Sequence, residues 1–562
     1  MGTAGRTSTE ATVAIINAKG LTQNERMPTC EAVALAGGAI LAVGSNAEIS
    51  ALCNPRTLVL DAAGRTVTPG FIDAHAHWSL IGASLTSTLL CPSPPYGSIA
   101  EIIEEGRRIA AQTPRGEWIV LQGSAMQGRL MAEGRGVAPA DLDRISTEHP
   151  ILYKSNLHQL VVNQRALVES GIDENSASPV GAVIDRDADG RPTGRLGDMY
   201  THLPIPKPDP ARLRAVLADV AWTRLLAHGV TGIQEITDSA DVLALQRDLI
   251  STRDVPMRMA SYVWVPELGT VAEVLASREN FGEESRWFEF GGVKLFADGG
   301  TSSRTAAVHR SYPGTTDTGV LTFEHEELVA MIAEAHQAGA QLVIHATGDR
   351  GQDEVLRAYQ DAGATNAPER AHRIEHAGNV LWTQERAARF HALGILPVPN
   401  VGFLYDYAEG WPAALGEEAA RGCLPMRTML DQGFPVAGTS DTTGGSLPAL
   451  DPLRNIYRAA TRTTMSGTVV DPEEAITVEE GITMYTRHSA YVGRQLGWAG
   501  TLEPGKVADL VILSADAGAM SPDALGELRV DATIVDGEVV YSRRCGPYEG
   551  LGRQPLSLEA IA

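Results

Sequence analysis

Hydrophobic positions along this chain change their period twice. Between residues 12 and 68 they come as short runs broken by Gly and Asn turns: Glu31–Leu35, then Gly37-Gly38, then Ala39–Val43, and later Thr57–Leu60. Short apolar runs between turn residues predict β-strands. The same texture returns at the far end, in Ala508–Ser514, Ala532–Val535 and Val539–Tyr541. Asp536-Gly537 between the last two runs predicts a hairpin. The two ends therefore predict one composite β-sandwich, residues 1–68 plus 495–562.

The middle, 69–494, alternates strand-like runs with helical periodicity. Eight strands are expected: Gly70–Ala74, Gly229–Ile236, Met257–Val265, Gly291–Phe296, Gln341–His345, His372–His376, Gly394–Val398 and Phe434–Gly438. Helices are expected at Arg212–Ala227, Glu326–Ala338, Gln352–Ala362 and Thr383–Leu393. Capping boxes are expected where Ser98 precedes Glu101 and Thr477 precedes Glu480. Strand-helix alternation implies parallel βαβ units, and eight units predict an α/β fold of the (β/α)₈ TIM-like barrel type. The gap between the first two strands is too long for a loop. Residues 80–210 or so read as an inserted subdomain over the barrel mouth.

Composition narrows the function. A net charge of −23 disfavours nucleic acid and anionic membranes as partners. No signal peptide is evident, nor an apolar run of about 18 residues that would span a bilayer. Five scattered cysteines (Cys30, Cys53, Cys91, Cys423, Cys545) read as reduced thiols, so a cytoplasmic protein is expected. A homodimer is the default oligomer. Lysine occurs at only five positions, which makes Lys294, within an apolar strand, unusual.

The chemistry-bearing residues fall in barrel order. His75 and His77 follow strand one, Lys294 lies on strand four, His345 ends strand five, His376 ends strand six, and Asp441 follows strand eight. A barrel gathers its functional side chains at the C-terminal strand ends. The spacing of His75 and His77 puts both imidazoles on one face of an extended strand. Together they suit Zn²⁺ or another divalent first-row ion, one or two in number. A lysine held neutral by burial can react with CO₂, and the resulting carbamate can bridge two ions. His345 and His376 would hold the second ion. Asp441 would ligate the first and act as general base. Singly, each residue has a plainer reading: a hydrogen-bonded core histidine, a snorkelling lysine, a turn aspartate. The ordered set favours the metal site.

The chain also resembles a family. Val67–His77 is similar to the signature that opens the amidohydrolase superfamily barrel. Gly292–Gly299, Ser303–Ala307, His345–Arg350 and Arg373–Ala377 resemble amidohydrolase family 3, and Leu502–Leu510 resembles its closing run. The resemblance implies metal-dependent hydrolysis of an amide-like C–N bond in a small molecule, such as an N-substituted formamide or acylated amine. Asn156-Leu157-His158-Gln159 is similar to a family run that usually reads Asp-Gly-His-Ser, which directs His158 at the substrate. Phe403 and Tyr405, with Tyr407 and Trp411, are expected to form an aromatic pocket wall. Arg304 and Arg350 are candidates for orienting the substrate. A lactonase, a phosphoesterase, a ring deaminase and a non-catalytic metal-binding protein are the alternatives for the same ligand set.

Overall fold

The computed structural model describes residues 10–90, 97–123, 131–281, 285–443 and 446–553. Seven strands form its central sheet: β1 (Phe71–Ala76), β2 (Val230–Thr237), β3 (Arg258–Trp264), β4 (Phe288–Phe296), β5 (Gln341–His345), β6 (Arg373–Glu375) and β7 (Leu396–Val398). They neighbour one another in chain order, and every pairing is parallel. Helices separate the later strands: His325–Gln337, Asp349–Asp361 and Gln384–Leu393. The first of these buries Leu328, Ile332 and Ala335, one stripe at helical spacing. The last starts on the Thr383 side-chain cap and stops at Gly394, whose φ of 64° suits a residue without a Cβ. The curled parallel sheet and its helices make a TIM-like α/β fold.

The expected eighth strand is not one. Phe434–Gly438 is extended but forms no ladder. Two prolines explain this. Leu396 and Val398 turn their polar groups toward β6, so Pro397 faces the other edge without an N–H. Pro435, in the eighth segment, lacks one too. The segment is instead pinned to β1, with Ala74 N donating to Gly438 O and Asp441 N to His75 O, both at 2.9 Å.

Strands from both chain ends build two more sheets. One orders Ala39–Gly44, Ala32–Ala36, Val13–Ile16 and Leu58–Asp61. The other orders Glu538–Ser542, Val530–Val535, Leu510–Leu513, Thr66–Pro69, Lys19–Leu21 and Thr29–Cys30. Ile15 and Leu35 of the first share a buried cluster with Val67, Ile512 and Ile534 of the second. The Asp536-Gly537 hairpin has both φ angles positive, as its turn type requires. A separate six-stranded sheet, drawn from Thr88–Leu90 through Pro192–Gly197, lies in the chain between β1 and β2. The Thr477–Glu480 capping box forms in full. At Ser98 the cap forms, but the Glu101 carboxylate takes Gly97 N instead. Cys30, Cys53, Cys423 and Cys545 are free thiols; Cys91 lies outside the described residues. No helix among the described residues is long and apolar enough to cross a membrane.

One ion pair joins the barrel to an end sheet. Arg258 on β3 donates from Nε to Asp509 Oδ2 at 2.6 Å and from Nη2 to Oδ1 at 2.9 Å. Both side chains are buried, and Asp509 immediately precedes Leu510–Leu513. Arg258 Nη2 also lies 3.5 Å from Asp536 Oδ1, whereas removing Arg258 leaves the buried Asp509 without its cation. Arg258→Ala is therefore expected to cost about 3–5 kcal/mol in chemical denaturation. A loss below about 1 kcal/mol, the range of an exposed pair, would refute this reading.

Candidate metal centre

The period-two geometry of β1 brings His75 and His77 to one side. Asp441 closes on them: its Oδ1 lies 3.5 Å from His75 Nε2 and 2.9 Å from His77 Nε2. One donor atom from each of the three residues falls within 4.8 Å of the others. Asp441 holds a left-handed φ of 46°. Asp73 anchors the loop before it, accepting from His75 N at 3.2 Å and Ser440 N at 3.0 Å. Backbone of this kind persists only where surrounding bonds impose it.

A second group adjoins the first. His345 at the end of β5 and His376 just past β6 have ring centroids 4.4 Å apart. His376 lies 5.2 Å from the His75 ring, and its Nε2 is 3.8 Å from Asp441 Oδ2. Lys294 on β4 is fully buried, and its Nζ makes no hydrogen bond. Burial pushes the Lys294 ammonium down to about 8, against the pull of Glu375 and Asp441. Burial and neighbouring cationic groups push His345 and His376 well below their ordinary range. Burial opposes ionisation of Asp441, yet His75, His77 and Lys294 outweigh it and hold that carboxyl at about 2. Uncharged imidazoles around an ionised carboxylate, beside an unbonded amine, form a donor set that fits divalent cations.

Glu375 orients the cluster, and residue-by-residue reading missed it. Its Oε2 forms a close hydrogen bond with His75 Nδ1, which turns His75 Nε2 toward Asp441. A charged residue alternating with Arg373 on an otherwise apolar strand was the available signal. Arg373 Nε lies 2.8 Å from Glu375 Oε1, an ion pair without hydrogen-bond geometry. Burial opposes the Glu375 charge, but Arg373 and His75 keep its carboxyl below the usual range.

The inserted sheet supplies the opposite wall. The His158 ring lies 5.3 Å from the His345 ring, tilted by 39°, with Nδ1 in a close hydrogen bond to Asp198 Oδ1. Asn156 Nδ2 donates to Ser302 Oγ at 3.1 Å and Tyr407 Oη at 2.9 Å. Two glycines permit this approach. A Cβ on Gly300 would sit 2.9 Å from the His158 ring, and one on Gly299 would sit 2.6 Å from Asp198 Oδ2. Phe403 stacks on His376 at 5.8 Å and on Tyr407 at 4.2 Å. The enclosed cavity is about 40 Å³.

Three expected pocket residues are not brought here. Tyr405 lines a separate cleft, because residues two apart in a helical turn face opposite ways. Arg304 is exposed at a φ of 61° and does not line the cavity. Arg350 Nη2 is spent on Thr318 O and Gly319 O, both at 3.1 Å, and braces the β4 loop.

Comparison with known proteins gives a consistent picture. The amidohydrolase family model matches residues 58–541. The chain is 30% identical to N-substituted formamide deformylase from Arthrobacter pascens, over 94% of this chain and 98% of that protein. It is similar in fold to an uncharacterized metal-dependent hydrolase from Pyrococcus horikoshii OT3 (TM-score 0.66, 22% identity, 91% of this chain and 99% of that one). It is also similar to an atrazine chlorohydrolase from Arthrobacter aurescens TC1 complexed with zinc (TM-score 0.54, 15% identity, 98% of each chain).

If Glu375 orients His75 for a cation, Glu375→Gln should lower divalent-cation affinity about 10- to 100-fold in competition with a chelating dye. Unchanged affinity would remove Glu375 from the site.

Proposed function

This chain belongs to the amidohydrolase family, and we propose that it hydrolyses the amide-like C–N bond of a small N-substituted formamide or acylated amine. The convergence of His75, His77 and Asp441 carries the reading.

A divalent cation, zinc in this reading, acidifies water and polarises a carbonyl when bound. His75, His77 and Asp441 would hold it. Lys294, as a carbamate, with His345 and His376 would serve a second ion. In forming that group, Nζ bonds to the carbon of CO₂ and gives up a proton. Asp441 Oδ2 takes the proton of the attacking water and returns it to the leaving nitrogen. The carbonyl–nitrogen bond breaks, the acid keeps the water oxygen, and the amine departs. His158, oriented by Asp198, faces the acyl group, and Phe403 shapes the wall behind it. The end sheets act as one β-sandwich, 1–68 with 495–562, on a hydrolase barrel of 69–494 with the insertion at about 80–210. The enzyme works in the cytoplasm as a homodimer.

Turnover of the metal-loaded protein is to be measured against formamides, acylated amines, lactones and carbamates. Activity confined to lactones, or absent for every class, overturns the proposal. Asp441→Asn is expected to lower kcat by about 10²–10⁴ while the fold is kept. Full turnover would remove Asp441 as the base. Elemental analysis, with electron density at the Lys294 tip, should find two ions and a carbamate; one ion and a bare amine would refute the binuclear form.

A further inference from the structure

A cleft of about 800 Å³ is lined by residues other than those around the metal centre. Its walls come from separate parts of the chain: the turn ending at His228, the segment 447–454, the hairpin region 528–543, and the single residues Tyr405 and Met465. Arg224, Arg454, Arg529 and Arg543 line it together with His228. Asp451 is its one carboxylate among the described lining residues.

That carboxylate is already engaged. Asp451 caps the helix Pro452–Thr461 by accepting from Leu453 N at 3.0 Å, and it lies 3.6 Å from Arg454 Nε. Asp531, beside the cleft, is shared between Arg543 at 2.7 Å and Arg65 at 3.1 Å. Arg529 is braced by Nη1 bonds to Gly526 O at 2.7 Å and Leu528 O at 2.9 Å, with Nη2 3.6 Å from Glu527. His228 Nδ1 makes no hydrogen bond; the Asp451 carboxylate is 3.9 Å away. Burial lowers the His228 imidazole's proton affinity; Asp451 opposes this, and Arg224, Arg454 and Arg529 add to it. Arg224, Arg454 and Arg529 are exposed at the cleft, and Arg224 also faces Asp219.

Four arginines around one cleft give it a local positive potential that attracts anions. It is also out of character for a chain of net charge −23. Guanidinium forks match the oxygens of phosphate and carboxylate groups. The volume is in the range of small-molecule sites, about 300–1,000 Å³. We propose that this cleft binds a small, multiply charged oxyanion at a site distinct from the metal centre. The two sites share a wall, the single turn Phe403–Asp406. Phe403 meets the histidines on one side, and Tyr405 meets the arginine cleft on the other.

The test is calorimetric titration of the full-length, metal-loaded protein with inorganic phosphate and with succinate, at ionic strength matched with chloride. One site is expected. Arg224→Gln/Arg454→Gln should weaken binding at least tenfold, with an unchanged melting temperature in chloride. Hydrogen exchange should slow at 224–228, 447–455 and 528–543 on anion addition. Tighter phosphate binding identifies a phosphorylated ligand, and tighter succinate binding a carboxylate. Binding no stronger than chloride, equal binding by the variant, or protection confined to the metal centre would overturn the proposal.

Discussion

The orientation of His75 at the barrel mouth depends on the buried Glu375 carboxylate. It sits buried on β6, where Arg373, His75 and Lys294 favour its charge against the cost of burial. Arg373 reaches across the barrel interior, donating to Ala74 O at 3.0 Å on β1 and to Gln234 Oε1 at 2.5 Å on β2. The charge that orients His75 thus also stitches three strands together. In so dry a setting an ion pair is no certain gain in stability, but loss of either member leaves a lone buried charge. The arrangement therefore specifies one geometry more than it stabilises the fold.

Around this anchor the site is held in backbone states that would be unfavourable alone. His376, Asp441 and Asp198 all have φ between 46° and 69°. Each costs on the order of 1–3 kcal/mol and is kept by the bonds on either side. Asp73 does this for the Asp441 loop. Asp298 does it for the loop after β4, accepting from Ala307, Thr347 and Gly348 nitrogens at 2.8–2.9 Å. The inserted sheet then closes over the histidines only because Gly299 and Gly300 leave room for His158 and Asp198. Barrel and insertion line one cavity together, though they have separate hydrophobic clusters.

Periodicity determined much of this protein in the sequence alone. Strand spacing, helix stripes and the Asp536-Gly537 turn are local effects, and they predicted seven of the eight barrel strands, their order and the end hairpin. The barrel rule pointed to His75, His77, His345, His376 and Asp441 at the strand ends, with Lys294 within strand four; the structure brings His75, His77 and Asp441 within 4.8 Å of one another and sets His345 beside His376. The eighth strand failed because Pro397 and Pro435 remove donors from a seam whose partners only the fold reveals. Side-chain direction was the other limit. Tyr405 and Phe403 are two residues apart, yet one faces an arginine cleft and the other the histidines. Arg350 carries a charge that the β4 loop carbonyls had already claimed. Which carboxylate orients which imidazole, as Glu375 does for His75 and Asp198 for His158, joins residues 300 and 40 positions apart. No local pattern encodes such pairs. Only the tertiary structure decides them, because long-range approach depends on how strands, glycines and buried charges pack together.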